Sequence, residues 1–274
     1  MEPLGEFPLK NVIAIVPARY ASIRLPGKML ADVEGKPLIV RTAERAMSAR
    51  SVSRVIVATD DLRIKDAVES AGFEGVMTAP DHRSGSDRIA EVAATLPEGS
   101  IIVNVQGDEP VIPPETIDRA VSALISDHTA DISTTFETIS DVNEVLDPNI
   151  VKVVITEAGH AVYFSRSPIP YPREIVMKYG RDLRHALEKE PGSLAGFKKH
   201  TGLYVYRRGY LLSFARLPPS KLELSESLEQ LRALEHGGVI RAVEAAGTSI
   251  GVDTEADLEK VRILFRNGLP EISE

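Results

Sequence analysis

Short apolar runs rich in β-branched residues alternate along the first half of the chain with longer stretches in which apolar residues recur with a helical period. The runs predict strands at 12–16, 55–59 and 101–105, and the stretches predict helices at 37–49, 62–71 and 87–96. In the second helix, for example, apolar residues stand at i, i+3, i+4 and i+7 from Ile64. Strands that are apolar throughout must be covered on both faces. The pattern therefore predicts an α/β fold with a mostly parallel central sheet and helices on both faces.

The second half of the chain is less regular and predicts antiparallel additions. Runs 151–155 and 161–164 flank Gly159 and are typical of a hairpin. The polar stretch 171–199 has weak periodicity, and we expect it to be an excursion that covers a site or contacts a partner subunit. Further predictions are a strand at 203–206, a helix at 225–236 closed by Gly237 and Gly238, and a helix at 255–265 with Thr254 as its N-cap. We expect a tail at 1–10 and a single domain at 11–270.

Composition narrows the class of protein. A chain of 274 residues with 43% apolar content can bury a full core, and a net charge of -8 argues against a surface that binds nucleic acid broadly. The absence of cysteine excludes disulfides, thiolate nucleophiles and sulfur-ligated metals. No stretch approaches the roughly 20 apolar residues of a membrane span, and residues 1–10 match no targeting peptide. We therefore expect a cytoplasmic protein that binds neither membrane nor nucleic acid.

The loop after the first predicted strand concentrates positive charge. Arg19, Arg24 and Lys28 fall within ten residues and accompany Gly27 at the carboxyl end of a strand, where α/β proteins bind ligands. A triphosphate would neutralise these cations, with bidentate contacts from arginine and a compact charge from lysine. Pairing with surface carboxylates is the alternative. The loop matches neither the Walker A pattern nor the dinucleotide-binding fingerprint, which disfavours kinase-like and dehydrogenase-like proteins.

Three further segments carry candidate chemistry. Gln106 and Asp108 follow the strand 101–105, where a carboxylate is a natural magnesium ligand beside phosphates, although Asp108 also suits a plain turn. Asp253 precedes a predicted helix and suits either a second metal ligand or simple helix-terminus chemistry. The loop 78–87 offers small hydroxyls and a glycine that could read a base or ribose, with helix capping by Ser86 as the alternative. Spacing alone does not show that Asp108 and Asp253 meet.

Taken in order, the motifs of this chain resemble those of the 3-deoxy-manno-octulosonate (Kdo) cytidylyltransferases, the CMP-Kdo synthetase family. The resemblance runs from about residue 12 to 262 and rests on PARYxSxRLPGK, VIVATDD, DHxSGSDRxAEV, VNVQGDEP, DPNxVKVV, YFSR, LEQLR and GVDT. It implies a Rossmann-like, GT-A-like nucleotidyltransferase in which the portion around 131–236 serves sugar binding and dimerisation. It also implies transfer of CMP from CTP to the anomeric hydroxyl of Kdo, with release of pyrophosphate, for lipopolysaccharide assembly.

The resemblance also assigns roles by position. It implies Lys28, Arg24 and Asp108 as catalytic residues; Arg19, Arg24, Lys28, Ser84, Gly85, Ser86 and Gln106 as the CTP site; Gln106, Arg166, His200, Tyr204, Glu229 and Gln230 as the sugar site; and Asp108 and Asp253 as ligands of Mg²⁺. Of the sugar ligands, Arg166 has the clearest physical reason, because a guanidinium binds the carboxylate of Kdo bidentately. A homodimer is implied as well.

The chain departs from the usual family pattern at four positions, Ile23, Met29, Arg83 and Thr201, none of which removes an expected ligand. Thr201, beside His200, and the segment 171–199 leave the sugar open between Kdo, its 8-amino variant and another 2-keto sugar acid such as a sialic acid. Two other interpretations stay open. One is a mannose-type or molybdopterin-type nucleotidyltransferase that uses another base or acceptor, and the other is a non-catalytic regulator that binds CTP.

Overall fold

The structure is a computed structural model that describes residues 11–21 and 25–268. Its strands are β1 (Val12–Ala18), β2 (Asp32–Val33), β3 (Lys36–Pro37), β4 (Arg54–Thr59), β5 (Glu74–Met77), β6 (Ile101–Asn104), β7 (Ile132–Thr138), β8 (Lys152–Ile155), β9 (Ala161–Ser165), β10 (Lys198–Arg207) and β11 (Ile240–Glu244). Its α-helices are α1 (Leu38–Met47), α2 (Leu62–Ser70), α3 (Gly85–Ala94), α4 (Pro114–Ser126), α5 (Val142–Leu146), α6 (Arg173–Lys178), α7 (Leu183–Lys189), α8 (Arg208–Phe214), α9 (Lys221–Glu226), α10 (Gln230–Glu235) and α11 (Glu255–Arg266). The tail predicted at 1–10 lies outside the described residues.

Two compact units divide the described chain. The first contains the described residues up to Ser122, then Leu203–Arg216 and the residues from Ala246 onward, and the second contains Ala123–Gly202 and Leu217–Ala245. The second unit covers much of the portion 131–236 that the resemblance assigns to sugar binding and dimerisation. The single domain at 11–270 and the role of that portion stay predictions.

The first unit is built on parallel strands in the order β6-β1-β4-β5, with the end of β10 antiparallel to β6. Strand β1 is buried along almost its whole length, as its continuous apolar sequence requires. Its register sets Ala18 beside Thr59 of β4 and Ile15 beside Asn104 of β6. The carboxyl ends of these parallel strands therefore lie along one edge of the sheet, and the loops that follow them meet there.

The second unit combines a parallel pair, β7 with β11, and an antiparallel hairpin, β8 with β9. Gly159 turns the hairpin with φ of 80°, a value that favours glycine. The stretch 171–199 is more regular than its sequence indicates. It contains α6, α7 and a 3₁₀ turn at Pro191–Gly196, and Leu187, Leu194 and Phe197 bury a small core with Ile139 and Val145. Each helix in it spans too few residues to display a clear period.

Most predicted elements are confirmed to within a few residues, and so is the α/β class with its mostly parallel sheet, helices on both faces and antiparallel additions. The single helix predicted at 225–236 is wrong. Helices α9 and α10 replace it, because Ser227 has φ of 52° and ends α9 in the left-handed conformation. Gly237 does close α10, with φ of 79°, and Thr254 does cap α11.

No helix among residues 11–21 and 25–268 has the length and hydropathy that crossing a membrane requires.

Candidate active site

A cavity of about 420 Å³ opens in the first unit where the loops after β1 and β6 meet the beginning of α3. Six residues singled out in the sequence line it together: Arg19, Lys28, Gly85, Gln106, Asp108 and Asp253. Ser84 and Ser86 flank Gly85. The structure thus assembles one candidate site from segments that are more than 200 residues apart along the chain.

Lys28 is the centre of charge in this cavity. Gly27, with φ of 70°, turns the chain into a 3₁₀ turn that directs Lys28 inward, where only 8% of the residue stays exposed. Its Nζ lies 2.6 Å from Asp108 Oδ2, 3.2 Å from Asp253 Oδ1 and 2.9 Å from the carbonyl oxygen of Val252. The lysine therefore pairs with both carboxylates that the sequence suggests as metal ligands.

A backbone hydrogen bond explains why these two carboxylates meet. The N–H of Val252 donates to the carbonyl oxygen of Asp108 over 2.9 Å, which holds the residue before Asp253 against the loop after β6. That loop is itself packed tightly, because a Cβ on Gly107 would lie 2.7 Å from the carbonyl oxygen of Pro17. The Thr42 hydroxyl also donates to the carbonyl oxygen of Gly107. The glycine in the motif VNVQGDEP is therefore needed for close approach to β1.

The beginning of α3, which the resemblance assigns to CTP, lines the cavity at Gly85. Ser84 is the N-cap, and its hydroxyl accepts a hydrogen bond from the N–H of Asp87 at 3.1 Å. The alternative of capping by Ser86 is wrong, because Ser86 lies inside the first turn and is 4% exposed. The Arg19 guanidinium donates to the carbonyl oxygens of His82 and Ser84, which ties the cationic loop to this helix start. Arg24 lies outside the described residues.

Sequence reasoning missed Arg88, which also lines the cavity. Arg88 is fully buried in α3, pairs with Asp60 at 2.7 Å and donates to the Thr78 hydroxyl. Its Nε has no hydrogen-bond partner within the described part of the chain. A signal for this pair was present, since Asp60 directly follows β4 and Arg88 belongs to the motif DHxSGSDRxAEV.

The candidate sugar ligands fall in both units. Tyr204 belongs to the first, where its ring stacks on Tyr206 at 5.9 Å. Arg166, His200, Glu229 and Gln230 belong to the second. There, Glu229 accepts a hydrogen bond from Arg232 at 2.5 Å, and Gln230 begins α10 with 8% of its surface exposed.

Arg166 already has several partners in the second unit. Its Nε donates to the carbonyl oxygen of Glu226 at 2.7 Å, Nη1 to that of Pro148 at 3.0 Å and Nη2 to that of Ser227 at 3.3 Å. These bonds link the loop before β8 to the end of α9. The guanidinium has five N–H groups, so further donors remain for an anion.

His200 lies deep among protein atoms although part of its surface stays exposed. Desolvation by burial lowers its pKa to about 4, so the ring is neutral at neutral pH. Nε2 is 2.8 Å from the Thr134 hydroxyl, and the ring meets that of Phe164 edge-on at 5.1 Å. A neutral imidazole suits hydrogen bonding to a sugar hydroxyl better than it suits binding an anion.

The chemistry of the carboxylates fits a hard divalent cation. Asp108 and Asp253 both pair with the ammonium of Lys28, and carboxylate oxygens are the donors that magnesium prefers. Within the described ranges, no group of three or more His, Asp or Glu side chains gathers to hold a metal by itself. A cation here would therefore share its remaining positions with water or ligand oxygens.

Comparison with known proteins identifies the family of this chain. The family model described as Cytidylyltransferase matches residues 13–245. The 3-deoxy-manno-octulosonate cytidylyltransferase of Geobacter sulfurreducens is 51% identical over 92% of this chain and 98% of its own, and that of Neisseria gonorrhoeae is 46% identical over 94% and 99%.

Two solved structures are also similar. CMP:2-keto-3-deoxy-manno-octonic acid synthetase complexed with CTP superposes with a TM-score of 0.82, at 41% identity over 94% of this chain and 99% of that one. A 4-diphosphocytidyl-2C-methyl-D-erythritol synthase from Anaerococcus prevotii, with a TM-score of 0.56 and 12% identity over 94% and 97%, shares the fold alone. These likenesses confirm the family resemblance and the fold class. The chain therefore belongs to the 3-deoxy-manno-octulosonate cytidylyltransferase family.

Proposed function

We propose that this enzyme transfers CMP from CTP to the anomeric hydroxyl of Kdo, forming CMP-Kdo and pyrophosphate for lipopolysaccharide assembly. The observation that carries the proposal is the cavity in which Lys28, Asp108 and Asp253 meet, within a chain about half identical to cytidylyltransferases for Kdo. The reaction is an in-line attack of the sugar oxygen on the α-phosphorus, so the chain needs no nucleophile of its own.

The cationic loop binds the triphosphate in this proposal. Arg19 and Lys28 line the cavity, and Arg24 stands between them in the sequence, so we expect their charges to offset those of the phosphates. Lys28 stabilises the negative charge that develops at the α-phosphate, an interaction that is strongest in the transition state. Ser84, Gly85 and Ser86 lie along the nucleoside, and Gln106 contacts both substrates.

Asp108 and Asp253 would hold Mg²⁺. When bound, the metal supplies Lewis-acid stabilisation of phosphate charge and lowers the pKa of the attacking hydroxyl. The contribution of the chain is to fix the two carboxylates, which the Val252 to Asp108 backbone bond does before any ligand arrives.

The sugar residues act by orientation. Arg166 binds the carboxylate of Kdo with the N–H groups that its three carbonyl partners leave available. Neutral His200, together with Tyr204, Glu229 and Gln230, donates to or accepts from sugar hydroxyls.

We also propose the homodimer and the cytoplasmic location that the family resemblance implies. The 8-amino variant of Kdo is the second candidate substrate, because Thr201 stands beside His200.

A pyrophosphate-release assay tests the proposal. The purified enzyme is given Mg²⁺ and one of the four nucleoside triphosphates together with Kdo, its 8-amino variant or a sialic acid. We expect rapid release with CTP and Kdo, at least about 100-fold slower release with ATP, GTP or UTP, and none after removal of divalent cations with EDTA. Equal rates with another base would favour a different nucleotidyltransferase. Calorimetric binding of CTP and Kdo without pyrophosphate would show a regulator instead.

A further inference from the structure

The N–H groups of the Lys28 ammonium all have oxygen acceptors within the protein. A lysine ammonium has three N–H groups, and three oxygen acceptors surround this one: Asp108 Oδ2, Asp253 Oδ1 and the carbonyl oxygen of Val252. Lys28 as a whole is 8% exposed, so water competes weakly for these bonds. Lys28 therefore serves as the counter-ion of the two carboxylates when no ligand is bound.

The same carboxylates are the proposed metal ligands, and they do not serve both cations at once in this arrangement. A magnesium ion binds oxygen at about 2.0–2.1 Å. An ammonium 2.6 Å from Asp108 Oδ2 and 3.2 Å from Asp253 Oδ1 occupies the space between the same oxygen atoms. Like charges at such short range repel strongly where solvent is scarce. Metal entry between Asp108 and Asp253 therefore requires Lys28 to leave them.

We propose that, in the free enzyme, Lys28 prevents a divalent cation from binding between Asp108 and Asp253. The cation binds there only when a triphosphate draws the Lys28 ammonium onto its phosphates. The exchange balances charge, because the metal neutralises the two carboxylates and the phosphates neutralise the displaced lysine. Lys28 is then a positioning residue for the metal site before it acts on the α-phosphate. The proposal rests on the proposed function, since that function supplies the metal and the triphosphate.

The test measures binding of Mn²⁺, a hard cation that carboxylates also bind, by electron paramagnetic resonance without any nucleotide. The variants are Lys28→Met, which removes the charge, and Lys28→Arg, which keeps it. Lys36→Met is the matched control, because it makes the same change in net charge at an exposed lysine that pairs with Glu44. Thermal unfolding verifies that each variant is folded, and Lys28→Gln replaces Lys28→Met if the latter does not fold.

We expect Mn²⁺ to bind Lys28→Met at least about tenfold more tightly than the wild type, since breaking a charge-assisted hydrogen bond costs roughly that factor. Lys28→Arg and Lys36→Met should bind it as weakly as the wild type, and adding Asp108→Asn to Lys28→Met should abolish the gain. Binding to Lys28→Met that is equal to or weaker than wild-type binding overturns the proposal. A separate result would overturn the proposed function: no release of pyrophosphate when the wild-type enzyme is given CTP, Kdo and Mg²⁺.

Discussion

Lys28 in the first unit and Arg166 in the second bond to different kinds of partner. In the first unit, Lys28 pairs with the side chains of Asp108 and Asp253, which come from distant parts of the chain. In the second, Arg166 donates to three backbone carbonyl oxygens and so joins a loop to the end of a helix. The first arrangement brings together charged side chains whose partners a ligand can replace. The second ties a loop and a helix end of the protein to each other.

This difference predicts how each region responds to substitution. We expect the charged side chains of the cavity to contribute mainly to turnover, because their strongest interactions form with the transition state. Residues bonded to the backbone contribute to folding as well as to any ligand they touch. Five substitutions, taken from the largest expected effect to the smallest, test the contrast.

Lys28→Ala and Asp108→Ala should each lower kcat by at least about 100-fold, because loss of one group that stabilises transition-state charge typically costs that much. For Lys28→Ala, the KM for CTP should change less than kcat does. Steady-state pyrophosphate release measures both constants, with the exposed Lys36→Ala as control. Near-normal turnover in either folded variant would contradict the proposed mechanism.

His200 should make the protein less stable in acid. Its folded pKa of about 4 lies below the unfolded value of about 6.5, so the unfolded chain binds the proton more readily. Stability is therefore full above pH 6.5 and is lost as the pH falls from 6.5 towards 4, by roughly 2–3 kcal/mol at pH 4.5.

Urea unfolding of wild type and His200→Gln at pH 7.5 and 4.5 isolates this contribution. The variant should lose less stability between the two pH values than the wild type does. His128→Gln, at an exposed histidine, should follow the wild type. Parallel losses in wild type and His200→Gln would show that this ring is not the acid-sensitive group.

Gly107→Ala should disturb the cavity through the backbone. The added Cβ would lie 2.7 Å from the carbonyl oxygen of Pro17, so β1 or the loop must move, at a cost of about 1–3 kcal/mol. Both the free energy of unfolding and kcat should fall. Gly209→Ala is the control, because no described residue outside its own helix and chain neighbours has an atom within 4 Å of its Cβ position. A Gly107→Ala enzyme with wild-type stability would contradict the close packing described here.

Arg166→Lys separates two roles of one residue. The three carbonyl oxygens are bonded by three different nitrogens of a planar guanidinium, a fork that a compact ammonium does not reproduce, so the free energy of unfolding should fall by about 1–2 kcal/mol. If Arg166 also binds the Kdo carboxylate, the KM for Kdo should rise at least about tenfold while that for CTP stays the same. Arg173→Lys, at an exposed arginine, is the control. An unchanged KM for Kdo would remove Arg166 from the sugar site.

Sequence patterns predict three of the parallel strands, β1, β4 and β6, because a β-branched apolar run such as 12–16 suits a strand that is buried on both faces. They do not predict β5, β7 or β11. Sequence patterns fail where the conformation of a single residue ends a helix, or where the buried positions of a strand are polar. Ser227 breaks a helix by a backbone conformation that its sequence does not require. Strand β7 escaped notice because its buried positions include Ser133, Thr134 and Thr135, which hide an apolar pattern.

The candidate site was predictable residue by residue but not as an arrangement. Motifs single out Lys28, Asp108 and Asp253, but a long-range backbone bond between Val252 and Asp108, which no local pattern encodes, helps to bring them together. Arg88 was missed because a charged residue in a helix ordinarily faces water. Its burial depends on Asp60, and a pairing across 28 positions has no periodic signature.

The most direct test of the central claim observes the bond that the enzyme forms. Kdo labelled with ¹³C at C2 is incubated with CTP, Mg²⁺ and the enzyme, and the product is followed by ¹³C and ³¹P nuclear magnetic resonance. We predict a new C2 signal split by coupling to phosphorus, appearing in step with pyrophosphate and absent with Asp108→Ala. Release of pyrophosphate without phosphorus coupling at C2 would contradict cytidylyl transfer to the anomeric hydroxyl.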